Sequence, residues 1–486
     1  MSPPKPAPFF SSSRLCVFAV TALLLFFFTL TLHSQAQKSP AFDEQGFIVR
    51  GLGYLRGENR HMRIGHPLGL NALNAAFLVN DPSVSLPSDD PSWQLTSFHR
   101  PAELFLWEIG NNVEHILFLA RLPTIFLGMI LAALVFRWTV DLTHNRWLAL
   151  LALSFIALDP NILAHSRLTT TDLGITAAAT LSGYTLWRYL TKPTLKNTLL
   201  AGFGFGLLNN TKFTAGLFVP LFGLTILLVW LGEVRRDGFA VTLRRHRRFI
   251  WLFPLSGFVT LWATYGFEIG TLPANLPALP QLSGLTLPLA HHLEQLLDIG
   301  NRSTLGAAAF LLGNYSRTGW WYYFPVTFLL KTPLPTLGLI GFGLFSLVRW
   351  KRLSAETTPI FTLLIPSLGF LALGMTTSVN LGYRHILPIL PYLIIFSTYI
   401  LHLHAAAASP TSQLRNRRFA NQLRNSATPQ PRPRRFTNRI ARSDQFAPSL
   451  ATPRLGGPPY HPPPPLHPTN RPRLPRLLQP AGWRGG

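Results

Sequence analysis

The stretch LCVFAVTALLLFFFTLTL at 15–32, followed after a short polar spacer by FDEQGFIVRGLGYLRGEN at 42–59, decides the class of this chain. The first run is uncharged and as long as a bilayer-crossing helix requires. The second opens with the acidic pair Asp43-Glu44, in a chain whose 486 residues include only 19 Asp and Glu. Two of so few carboxylates side by side, just beyond an apolar span, place candidate chemistry where a lipid-borne substrate can reach it.

The composition agrees with a membrane protein. Hydrophobic residues make up 48% and charged residues 13%, and the apolar residues gather in long blocks. The single cysteine, Cys16, lies inside the first block, which excludes a disulfide framework and a Cys-based metal site. Runs able to cross a bilayer occur at 15–32, 115–136, 147–158, 173–187, 198–208, 214–231, 249–267, 320–348, 359–374 and 385–403, about ten in all. The expected architecture is an all-α polytopic membrane bundle over 1–403.

Alternate loops carry the basic residues, Arg137 and Arg146, then Arg188, Lys192 and Lys196, then Arg235, Arg236, Arg244, Arg245, Arg247 and Arg248, then Arg349, Lys351 and Arg352. The positive-inside rule makes these loops cytoplasmic and leaves two large outer loops at about 33–114 and 268–319. The expected location is a cell inner membrane with the site facing the periplasm or exterior. The first span reads as an uncleaved anchor because it is longer than a signal-peptide core, although Ser34-Gln35-Ala36 resembles a cleavage site.

The segment 404–486 is different material. It holds 14 Arg, no Lys and one acid, Asp444, so it supplies about 14 − 1 = +13 of the net charge of +24. Such an Arg/Pro-rich tail cannot bury a core and is expected to be disordered. No specific nucleic-acid partner is expected for it. Its abrupt bias is also what a shifted reading frame beyond residue 403 would produce.

At the start of the second helix Asp43 is placed to cap the first turn, Glu44 to meet the helix dipole, and Phe42 and Phe47 to form a hydrophobic staple. Ile48, Val49, Leu52 and Leu55 then give an amphipathic helix suited to the membrane surface. More telling are charges on the side where positive charge is scarce: Arg167 and Asp172 in NILAHSRLTTTDLG, Lys212 in NNTKFTAG, and Arg384 and His385 in NLGYRHILP. Three such loops on the side of Asp43 point to an anionic ligand, with a lipid phosphate fitting best.

Cations to stabilise a departing phosphate and a carboxylate to take a proton are what sugar transfer from a lipid phosphate needs. A divalent metal held by Asp43, Glu44 or Asp172 is an open alternative. His61, His66, His291 and His292 lack an evident ligand set. Trp320, Trp321, Tyr322 and Tyr323 suit an interfacial belt or a sugar platform, and Pro325, Pro333 and Pro335 a kinked groove beside Lys331. Gly202, Gly204 and Gly206 suit close helix packing.

Taken together, Asp43-Glu44, GHPLG at 65–69, NILAHSRLTTTD, GLLNNTKFTAG, NYSRTGWWYYFPVTFLLKTPLP and NLGYRHILPILPYL resemble the bacterial phospholipid-carrier-dependent glycosyltransferases. These are relatives of the protein O-mannosyltransferases and of lipid A aminoarabinose transferase, with the GT-C fold. The resemblance runs over about 10–403. It implies that Asp43 is the catalytic carboxylate with Glu44 beside it, that Asp172 is a second acidic site residue, and that Lys212 and Arg384 contact the carrier phosphate. Arg167 and His66 join them as candidate substrate contacts. The implied activity is inverting transfer of a sugar from a polyprenyl-phosphate donor to a protein or lipid acceptor. GHPLG departs from the HPPL-type sequence of such proteins, and relatives continue with further spans after the YRHILP region. A transporter or lipid flippase, the rival class, would hold coupling charges at mid-membrane, and a scaffold would act through the tail.

Overall fold

In the computed structural model, residues 12–408 are described except 61, 275, 277–278, 304–306 and 350–356. The tail expectation therefore lies outside the described residues, although the last helix continues beyond 403 to Ala408.

The chain is mostly helical. An apolar first helix, α1 (Ser12–Gln35), leads through a short turn to α2 (Phe42–Arg56), α3 (Gly69–Ala75) and α4 (His99–Glu103). The bundle then builds from α5 (Val113–Thr143), α6 (Arg146–Ala157), α7 (Pro160–Ser166), α8 (Thr171–Thr191), α9 (Leu195–Asn209), α10 (Phe218–Asp237) and α11 (Phe239–Thr264). The second large loop contains β1 (Ile269–Thr271), β2 (Thr286–Pro288), α12 (Ala290–Ser303), β3 (Ala309–Leu311) and β4 (Asn314–Ser316). It is followed by α13 (Tyr323–Lys331), α14 (Leu334–Arg349), α15 (Thr357–Gly374) and α16 (Ile389–Ala408).

Each of the ten apolar stretches is helical, but not each is one span. Among the described residues five helices are long and apolar enough to cross a membrane, and α6 and α7, bent by 61° at their junction, pass that test only when taken together, as a broken span or a re-entrant loop. Asp159 and Pro160 explain the bend, because Asp159 Oδ1 accepts from the amides of Asn161 and Ile162 and starts a new helix there. The stretch 320–348 divides into α13 and α14 at Thr332-Pro333, where proline removes a helical donor. The all-α expectation needs one addition, since β1–β2 and β3–β4 form two small antiparallel hairpins.

The bundle core is centred on Trp138, Trp187, Tyr184 and Tyr392, with Trp138 edge-on to Tyr392 at a ring separation of 5.7 Å. The glycines at 202 and 206 do pack helices. A Cβ on Gly202 would come within 2.5 Å of the Phe253 carbonyl oxygen, and one on Gly206 within 2.4 Å of that of Gly257, so α9 lies directly on α11. Gly204 faces α8 instead, 2.9 Å from Thr185.

The first large loop is a packed subdomain on the end of α5. Ile48, Val49 and Leu52 are fully buried with Trp93, Phe105 and Ile116. Two expectations for α2 are thereby corrected. Its apolar face packs on protein and does not lie on a lipid surface, and no staple forms, because Phe42 is exposed whereas Phe47 is buried edge-on to His66. The cap is also reassigned. Ala41 is the N-cap, and the Glu44 carboxylate, not Asp43, reaches back to the Ala41 amide at 2.8 Å.

Candidate active site

The two adjacent carboxylates have opposite surroundings. Glu44 is fully buried. Its Oε1 accepts from Arg121 Nε at 2.8 Å and from the Thr169 amide at 2.7 Å, and its Oε2 accepts from Arg121 Nη2 at 2.6 Å and from the Ala41 amide. Four donors saturate a carboxylate. Arg121 also donates to the carbonyls of Gln35, Lys38 and Ser39, so one guanidinium–carboxylate pair ties the end of α1, the start of α2, α5 and the turn before α8 into one unit. These contacts occupy all four acceptor positions of Glu44.

Asp43 is free by comparison. Its side chain is 43% exposed, and its ion partner is Arg384, in the helical turn Tyr383–Ile386, at 3.3 Å. This separation is longer than the 2.7–2.9 Å of a strong charged hydrogen bond, so the pair opens at little cost. The α2 start thus holds a weakly paired, half-exposed carboxylate.

Nearby, Lys212 follows the end of α9 and Asp172 sits in the first turn of α8. Both are buried, and Lys212 Nζ donates to Asp172 Oδ1 at 2.8 Å. An ammonium has three donors, so Lys212 keeps others for a ligand while Asp172 compensates the charge in its buried position.

GHPLG is built as a cradle wall. Gly65 has φ +79, a conformation suited to glycine, and Gly69 crosses Asn210 so closely that a Cβ would lie 1.7 Å from its amide nitrogen. Buried Arg50 donates to the carbonyls of Met62 and His66 and to Asn71 Oδ1, and the Leu68 amide donates to Tyr265 Oη at 3.1 Å. The second loop is fastened to this wall by His291 against Arg50 and by His292 Nδ1 on Tyr265 Oη at 2.9 Å.

His66, Lys212 and His385 line a cavity of about 640 Å³ whose wall is otherwise largely apolar, with Phe213, Leu217, Phe324, Phe370 and Leu373. Burial pushes both imidazoles down to about 3, with the Lys212 charge adding to the effect. Both are therefore neutral near pH 7, and Lys212 carries the positive charge of the cavity wall. Arg384 adjoins His385. His165 is in electrostatic reach of Lys212, Asp172 and Arg384.

The structure thus brings together Asp43 with Arg384, Asp172 with Lys212, and His66 at the cavity. Arg167 lies elsewhere in contact, donating to Ser34 Oγ on α1. No three His, Cys, Asp or Glu converge as a metal-ligand set among the described residues. Asp43, Glu44 and Asp172 each face a cation, which is a poor fit to a divalent metal. Of the aromatic segment, Trp321 is exposed and Tyr323 buried. The key residue missed in the sequence is Arg121. Its signal was present, an arginine inside the apolar run HILFLARLPTIFLG.

Comparison with known structures identifies the fold. The crystal structure of ArnT from Cupriavidus metallidurans bound to undecaprenyl phosphate matches with a TM-score of 0.50 at 14% identity, over 86% of this chain and 63% of that one. The fold is that of the GT-C glycosyltransferases. Residues 99–243 match the family model described as dolichyl-phosphate-mannose-protein mannosyltransferase, a segment from α4 to the start of α11 that includes Arg121, Asp172 and Lys212. The apo structure of ArnT from the same organism matches with a TM-score of 0.48 at 14% identity, over 83% of this chain and 62% of that one. The S. cerevisiae protein O-mannosyltransferase Pmt1-Pmt2 complex bound to the sugar donor matches with a TM-score of 0.41 at 18% identity, over 53% of this chain and 34% of that one. No curated protein sequence matches. The chain spans about three-fifths of the length of the ArnT chain.

Proposed function

We propose that this GT-C chain is an inverting glycosyltransferase that moves a sugar from a polyprenyl-phosphate carrier to a protein or lipid acceptor on the outer side of a bacterial inner membrane. The observation that carries the reading is the loosely held Asp43–Arg384 pair, in which Arg384 immediately precedes His385 in the wall of a largely apolar cavity that Lys212 also lines. The match to a mannosyltransferase family model over 99–243 and the likeness to ArnT bound to undecaprenyl phosphate support the same class.

In this reading the polyprenyl chain lies in the apolar part of the cavity and its phosphate meets Lys212, with Arg384 alongside. The acceptor hydroxyl or amine attacks the anomeric carbon from the face opposite the phosphate. As the new bond forms, the bond from the anomeric carbon to the phosphate oxygen breaks, and the electron pair leaves with the polyprenyl phosphate. Asp43 takes the proton from the acceptor, and the two cations stabilise the charge growing on the leaving group. A single displacement inverts the anomeric centre. Asp172 holds the Lys212 ammonium in place at 2.8 Å, and Glu44 fixes the start of α2. The basic loops at the far end of the bundle support an outward-facing site. A transporter would place its coupling charges at mid-span, whereas Asp43, Asp172, Lys212 and Arg384 all lie at helix ends or in turns.

The test is Asp43→Asn assayed in membranes supplied with polyprenyl-phosphate-linked sugars. Transfer should fall by roughly 10²- to 10⁴-fold, the share of a positioned base, while the carrier is still bound. Transfer at the parent rate in that variant refutes the assignment.

A further inference from the structure

At the end of the bundle opposite Asp43, α8 ends, α9 begins and α11 enters. There a second hollow, of about 210 Å³, is lined by Arg244, Arg245, Arg247 and Arg248 of α11 and by Pro193, Thr194, Leu195 and Thr198 around the start of α9. Nothing in the proposed transfer reaction uses it.

The four arginines are not equivalent. Arg245 is held by Glu233 at 2.7 Å and Asp237 at 2.9 Å, which neutralise it and fix the wall. Among the described residues Arg244, Arg247 and Arg248 form no ion pair. The i, i+3, i+4 spacing puts these three on one face of α11. The rest of the lining, Tyr189, Pro193, Thr194, Leu195, Thr198 and Phe249, contains no acid. A general bias of basic residues to cytoplasmic loops accounts for the number of arginines but not for their convergence on one concave hollow.

We propose that this hollow is a binding site for a phosphate group, the headgroup of an anionic phospholipid. Guanidinium forks match phosphate oxygens, and the volume is below the range of sites for nucleotide-sized ligands. The helices that form the hollow continue into exposed apolar surface, Leu199 and Phe203 on α9 and Trp251 and Leu255 on α11. A phospholipid whose phosphate sits among the arginines therefore has protein surface along which to lay its acyl chains. Free inorganic phosphate shares the recognition chemistry but uses none of that apolar surface.

The experiment uses the purified full chain and two probes. In the first arm, native mass spectrometry measures retention of phosphatidylglycerol against phosphatidylcholine from mixed vesicles. In the second, a thermal-shift titration with inorganic phosphate is run in neutral detergent. The parent should retain phosphatidylglycerol preferentially. R244Q/R247Q/R248Q should lose that preference by roughly 100-fold, at about fivefold for each basic residue near a lipid surface. All three side chains are exposed, so the variant should keep the parent Tm without ligand. The control R146Q/R235Q/R236Q removes equal charge at the same end of the bundle, outside the hollow, and should keep most of the preference. Protection by inorganic phosphate, abolished in the first triple only, supports a phosphate site with a free-phosphate source. No selective binding in either arm overturns the proposal, as does an equal loss in the control triple, which would mark diffuse surface charge.

Discussion

Glu44→Gln separates the two neighbouring carboxylates by their physics. Each Glu44 oxygen accepts one Arg121 N–H and one backbone N–H, so an amide nitrogen in either orientation faces two donors and loses two bonds. Hydrogen bonds to a charged group contribute about 1.5–3 kcal/mol each, which gives a loss of about 3–6 kcal/mol. At about 2 °C per kcal/mol, Tm should fall by roughly 6–12 °C. Arg121→Met should fall about as far, because it leaves a buried carboxylate unpaired. The double variant should lose less than the sum of the two. Asp43→Asn, at a half-exposed side chain with a 3.3 Å partner, should cost less than about 1 kcal/mol. Thermal unfolding in detergent, followed by intrinsic tryptophan fluorescence, reads all four. A Glu44→Gln variant within 2 °C of the parent, or Asp43→Asn falling as far as Glu44→Gln, refutes the division into an orienting and a reacting carboxylate.

Arg384→Met should leave stability within about 1 kcal/mol and weaken polyprenyl-phosphate binding roughly 10-fold or more, measured by calorimetry or ligand-induced thermal shift. Gly183→Ala places a Cβ 2.4 Å from the Tyr392 hydroxyl and should destabilise the bundle by about 1–3 kcal/mol, read as a lower Tm with α8 and α16 prised apart. His66 and His385 protonate at about 3 in the folded chain and near 6.5 when unfolded. The unfolded state therefore takes up protons first. Their contribution to stability is full above about pH 6.5 and is lost as pH falls towards 3, so Tm should drop between pH 7 and 4 and the slope should flatten in a His66→Asn, His385→Asn double variant.

Much of the architecture was legible in the chain itself because apolar runs of bilayer length have few alternatives to helices whose backbone groups pair internally. The ten stretches, the bend-prone prolines and the close-packing glycines follow from that local rule. So did Asp43, Asp172, Lys212 and Arg384 as rare charges at span ends. The hairpins in the second loop were not legible, since three-residue strands carry too little pattern. Nor was the fate of α2, whose apolar face suits lipid and protein equally well until Trp93 and Phe105 are seen to cover it.

What the sequence by itself determined is the membrane class, the helical bundle and the set of charged residues in play, because hydropathy and charge are local properties that the bilayer reads directly. Only the tertiary structure decided which carboxylate is free. Arg121 is 77 residues from Glu44 and Arg384 is 341 from Asp43, and no local pattern states that one pair closes in a dry, four-donor clasp while the other stays long and half exposed. Desolvation and hydrogen-bond saturation are properties of an assembled site, and in this chain they distinguish two adjacent acids that look alike in the sequence.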